Sequence, residues 1–173
     1  MNRIFTLALT GALLGAAALH AQNPFSADAK TQYNMVKNSV SKAAEEMSDA
    51  DYSFKASPME RTYGEIVAHI ADVQMALCGT AKGEEKKGMA AGKTSKADLT
   101  AALQASFDYC DGVYNAMTDA EGAGKVKMFG RLEMTKIGVL NFNTEHNNEM
   151  YGQMVVYLRL KGLVPPSSQR RRP

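Results

Sequence analysis

KGEEKKGMAAGKT, residues 82–94, decides the topology of this chain. The stretch is charged, glycine-rich and without a hydrophobic period, so it reads as a linker between helical segments. It is longer than a simple helical hairpin needs. Its thirteen residues, extended at ~3.3 Å each, reach about 43 Å, further than the ~36 Å of a helix of about 24 residues. The helices on either side can therefore run parallel, joined by a crossover along the bundle.

Helix 2 lies upstream of the linker. Ser57-Pro58-Met59-Glu60 has the form of a capping box with proline at the first helical position. A stripe of Thr62, Ile66, His69, Val73 and Leu77 follows, and Gly79 and Gly83 close the helix. Helix 3 lies downstream, from Thr94 or Ser95 to about residue 118. Ser95 and Asp98 open it, and its stripe is Leu99, Leu103, Phe107, Cys110, Tyr114 and Met117. Helix 1 spans roughly 26–48, with Tyr33, Val36, Val40, Ala43 and Met47 on one face. Helix 4 spans about 134–161, with Val139, Phe142, His146, Met150 and Tyr157 in register. Gly162 and the Pro165-Pro166 pair end it. Residues 118–130 read as a loop, and no segment alternates as a strand does. The pattern predicts an all-α fold: a four-helix bundle with a long crossover between helices 2 and 3.

Cys78 and Cys110 test that topology. In parallel helices the two lie at depths differing by only ~7 Å, whereas an antiparallel hairpin separates them badly. A disulfide would support the crossover; two reduced, buried thiols would leave it open.

Residues 1–21, MNRIFTLALTGALLGAAALHA, read as a secretory signal peptide. Arg3 supplies the positive end, residues 4–19 the apolar core, and Ala21 the cut, with Ala16-x-Ala18 as an earlier alternative. The run is short for a membrane span of ~20 apolar residues. Export, periplasmic or secreted, is the expectation, with no integral membrane segment after cleavage and an environment that permits disulfides. Residues 22–166 form the domain, and 167–173, ending Arg170-Arg171-Arg172-Pro173, form a disordered basic tail. Lys and Arg total 20 against 18 Asp and Glu. That balance excludes a general nucleic-acid binder and leaves a small-molecule substrate or a homodimer through helix faces as the expected partners.

His69 and His146 carry the functional reading. The chain has three histidines, and His20 falls in the leader. Each of the other two sits in a helical apolar pattern, and bundle cores build metal sites from inward side chains on facing helices. Residues one turn beyond His146 share its face, which makes Glu149 and Met150 the candidates for a third donor. His69, His146 and Glu149 would make an open-sided divalent site for zinc, nickel or manganese. Met150 is a soft thioether, poor for those ions and acceptable to copper(I). Asn143, Tyr151 and Gln153 are candidate hydrogen-bond partners around the centre. Against this stands a metal-free reading, in which histidines on apolar stripes are core residues and the bundle is a binding or oligomerisation module. The eleven methionines fit core filling as well as metal binding.

The segments MERTYGEIVAHIADVQMALCG, 59–79, and NFNTEHNNEMYGQMVVYLRLKGLVPPSS, 141–168, resemble the two signature regions of the DinB/YfiT-like superfamily of metalloenzymes. The likeness covers essentially the whole mature chain. It implies a four-helix bundle with an unusual connection between the central helices and a divalent metal on three histidines. In some relatives it implies thiol S-transfer with low-molecular-weight thiols. His69 and His146 match the first two ligands of that pattern, and Met150 stands where the third histidine is expected.

Overall fold

A computed structural model describes residues 23–169. The leader, residues 1–21 with His20, and the basic run from Arg170 onward lie outside the described residues. Four long helices make the body: α1 (Pro24–Glu46), α2 (Tyr63–Lys82), α3 (Lys96–Ala116) and α5 (Lys136–Leu160). A one-turn helix α4 (Asp119–Gly122) and a hairpin of β1 (Lys125–Met128) and β2 (Leu132–Thr135) join α3 to α5.

The helices form a ring in the order α1, α3, α2, α5, with α1 facing α2 and α3 facing α5 across the diagonals. Three contacts fix the direction of α3 against α2. A side chain added at Gly64 would meet the Leu99 side chain. The Gln74 amide donates to Ser106 Oγ. Cys78 and Cys110 are joined in a disulfide, with their Cα atoms 5.5 Å apart. Both partners ascend together, so α2 and α3 are parallel and the crossover exists. The linker turns back along α2: Asp72 Oδ1 accepts the Ala90 amide at 2.9 Å. Gly88 passes so close that a Cβ there would lie 2.2 Å from that carboxylate, so only glycine fits. Glu84 anchors the start of the linker by accepting the Tyr109 hydroxyl at 3.0 Å and pairing with Lys82 and Lys86.

Helix 2 starts later than its first capping motif suggests. The working capping box is Thr62 and Glu65: Thr62 Oγ1 accepts the Glu65 amide at 3.1 Å, and Glu65 returns to the Thr62 amide at 2.6 Å. Ser57-Pro58-Met59-Glu60 forms a tight turn instead, with the Glu60 amide on the Ser57 carbonyl. The reason is tertiary. Lys55 pairs with Thr62 in an antiparallel bridge, and the Tyr63 amide donates to the Phe54 carbonyl. That closed loop holds the chain extended until Tyr63 drops into the core beneath Tyr52 and Tyr157.

The loop expected at 118–130 also contains more structure than its sequence suggests. Thr118 caps α4, and the strands pair with Val126 opposite Met134. Phe129 and Gly130 turn the hairpin at φ 51° and 73°. Helix α5 consequently begins at Lys136, after Thr135 has capped it by accepting the Gly138 amide. Gly162, at φ 73°, closes α5 as a glycine past the helix end should. Residues 167–169, assigned by their sequence to the tail, are held by the bundle. The Ser167 amide donates to the Tyr151 hydroxyl at 2.9 Å, and the Gln169 amide donates to Glu46. Among the described residues no helix is long and apolar enough to cross a membrane.

Candidate functional site

Helix α2 buries Ile66, Val67, Ile70, Gln74, Leu77 and Cys78. His69 therefore sits at the edge of the buried seam, half-buried and facing α5. His146 is half-buried on α5, between buried Asn143, Asn147 and Met150. The two imidazoles meet. Nε2 of His146 lies 3.2 Å from Nε2 of His69, with ring centroids 5.0 Å apart and planes at 64°. Seventy-seven residues of sequence separate them.

Burial holds both pKa values below the ordinary histidine range. The Arg61 guanidinium pushes the same way, while Glu149 acts against the shift at both rings and Asp72 at His69. Both imidazoles are therefore neutral at pH 7, the form that donates one hydrogen and keeps one lone pair. In the bare protein one Nε2–H donates to the other Nε2. Two neutral imidazoles in this arrangement also match a shared ion: nitrogens at ~2.0–2.1 Å from a tetrahedral centre stand about 3.3 Å apart.

Behind the pair runs a buried polar chain that sequence periodicity does not reveal. Asn147 neighbours the His146 ring closely enough to favour its charged form. Asn147 Nδ2 donates to Gln74 Oε1 at 3.1 Å; Gln74 donates onward to Ser106, whose hydroxyl donates to the Leu103 carbonyl. Alongside, Asn143 donates to the Tyr114 hydroxyl, which donates to the Leu140 carbonyl at 2.6 Å. Burial pushes the Tyr114 pKa up to about 12, so it stays a donor. Three atoms in this region are buried with no partner: His146 Nδ1, Asn147 Oδ1 and Asn143 Oδ1. Native interiors leave few such atoms.

Of the residues singled out by sequence, His69 and His146 are brought together. Glu149 is exposed, though close enough to act electrostatically on both rings. Asn143 lies in the buried chain. Tyr151 is turned to the C-terminal segment, bonded to Ser167 at 2.9 Å. Arg61, Asp72, Gln74 and Asn147 are the neighbours that sequence reasoning missed. Gln74 had a legible signal: it falls one turn after Ile70 and two after Val67, on the buried seam.

The pair supplies two of the three histidines that the family resemblance implies for a divalent site. Among the described residues no three His, Cys, Asp or Glu side chains converge as a metal-holding group. The position one turn beyond His146 holds Met150, which is buried at 3% exposure.

The model of the DinB superfamily matches residues 32–154, which includes α2, the crossover, α3 and both histidines. The chain belongs to the DinB superfamily. Solved DinB-like structures share its fold. One from Bacillus subtilis superposes with a TM-score of 0.67 at 18% identity, covering 83% of this chain and 99% of that one. Another from Bacillus cereus gives 0.68 at 21%, covering 80% and 93%. A mycothiol-dependent maleylpyruvate isomerase superposes with 0.62 at 12%, covering 75% of this chain and 60% of its own. At those identities the likeness shows the DinB fold alone. No curated protein sequence matches the chain significantly.

Proposed function

We propose that this DinB-superfamily protein is an exported, metal-dependent enzyme that handles a small molecule at the His69–His146 pair. The observation that carries this reading is the 3.2 Å approach of the two Nε2 atoms from different helices. Neutral imidazole is the form of histidine that a metal binds. A bound ion would lower the pKa of a thiol or water brought to it. The isomerase named above is mycothiol-dependent, which supports a thiol as the co-substrate. His69 and His146 hold the ion. With zinc, nickel or manganese, Glu149 must turn in from solvent to serve as third donor or base. The Cys78–Cys110 disulfide supports export, because such bonds persist in oxidising compartments.

A second reading is favoured by Met150 and by the lack of a third His, Cys, Asp or Glu donor among the described residues. In it the bundle is a metal-free binding or homodimerising module. Metal analysis of the purified protein, before and after chelation, separates the two. Stoichiometric metal that is lost in His146→Ala supports the enzyme. A metal-free protein whose melting is indifferent to added metals and to chelator supports the module.

A further inference from the structure

The register of α2 against α5 decides which side chain completes the centre. The Tyr157 hydroxyl donates to the Arg61 carbonyl at 2.6 Å, and Asn147 donates to Gln74. Along these antiparallel elements residue 61 thus lies by 157 and residue 74 by 147. His69 lies between those two ties, and its ring meets that of His146. Met150 also lies one turn beyond His146, on the same face of α5. It is buried, whereas Glu149 is exposed. Asp72, the nearest carboxylate along α2, is bound to the linker amide of Ala90. The donors that this stretch offers are two imidazole nitrogens in contact and, one turn along α5 from His146, one buried thioether.

All three donors are neutral, so the choice of ion falls to their softness. Thioether sulfur adds little for zinc, nickel or manganese but binds soft ions well, and imidazole suits both classes. We propose that His69, His146 and Met150 together form a site for a soft monovalent cation, with copper(I) as the ion of that class. The proposal rests on the pair being a metal centre and replaces Glu149 by Met150 as the third donor.

The test is a pair of titrations on the purified protein with its disulfide intact. One uses copper(I), kept reduced by ascorbate without oxygen, against a chromophoric copper(I) chelator. The other uses zinc against a zinc chelator. The expected result is one copper(I) per chain, bound at least tenfold more weakly in Met150→Leu and lost in His146→Ala. A sulfur scatterer should appear in the copper X-ray absorption spectrum and be missing in Met150→Leu. Leucine conserves volume and shape, so that variant should keep the fold; matching circular dichroism checks it. Met150→His should shift preference toward zinc. Copper(I) affinity unchanged in Met150→Leu would overturn the proposal. Zinc bound by the unaltered protein, weakened in Glu149→Gln and untouched in Met150→Leu, would overturn it and leave the enzyme reading standing. Binding of neither metal would remove both.

Discussion

Helix α2 has two working sides, and they are built differently. Toward α3 it presents Cys78, bonded to Cys110, and Gln74, hydrogen-bonded to Ser106. Gly64 lets Leu99 pack against the helix there. Every buried polar side-chain atom of that seam has a partner. Toward α5 it presents His69, across from His146, whose Nδ1 is buried and unpaired, as is Oδ1 of the neighbouring Asn147. One seam is closed by covalent and hydrogen bonds. The other is joined by the contact of the two imidazoles and by the Asn147–Gln74 bond. The difference places the covalent tie on one side of α2 and the candidate site on the other.

The comparison can be broken by substitution. The largest effect should come from the closed seam. Replacing both cysteines by alanine opens a bridge spanning 32 residues and should cost about 3–4 kcal/mol in denaturant unfolding, on the chain-entropy estimate. A change under ~1 kcal/mol would mean that the bridge contributes little to the seam. Next, Gln74→Leu strands Asn147 Nδ2 and Ser106 in the core and should cost about 1–3 kcal/mol. On the open seam, His146→Leu in the metal-free protein should change stability by less than ~1 kcal/mol, because the bond lost to half-exposed His69 is offset by removal of the unpaired Nδ1. Equal losses from Gln74→Leu and His146→Leu would erase the distinction between the seams.

The smallest effect is in pH. Both imidazoles titrate below the ordinary histidine value of 6.5. Between the folded and unfolded pKa values the unfolded chain binds more protons, so stability rises with pH there. The contribution is complete above 6.5 and is lost progressively as pH falls toward the depressed folded values. Histidine ring shifts followed by NMR in metal-free protein should show both midpoints below 6.5. A midpoint above that value for either ring would contradict the burial argument.

Much of this was legible in the sequence because it depends on period and length. Apolar spacing revealed the four long helices, and the length of 82–94 allowed the parallel pair that the disulfide then requires. The two histidines were legible as residues on inward-leaning faces. What escaped depends on tertiary choice. Two Ser/Thr-x-x-Glu motifs lie five residues apart, and only the bridge between Lys55 and Thr62 selects the second. The strands of the hairpin have four residues each, too few for alternation to stand out. Gln74, Asn143 and Asn147 are polar residues whose types predict exposure, yet they are buried: Gln74 and Asn147 bond each other, and Asn143 bonds the Tyr114 hydroxyl.

The account's central claim is that His69 and His146 act as one centre. Metal affinity measured in His69→Ala, His146→Ala and the double variant tests it most directly. A shared centre predicts that either single substitution removes as much binding as both together. Binding that survives one substitution intact, or losses that simply add, would contradict it.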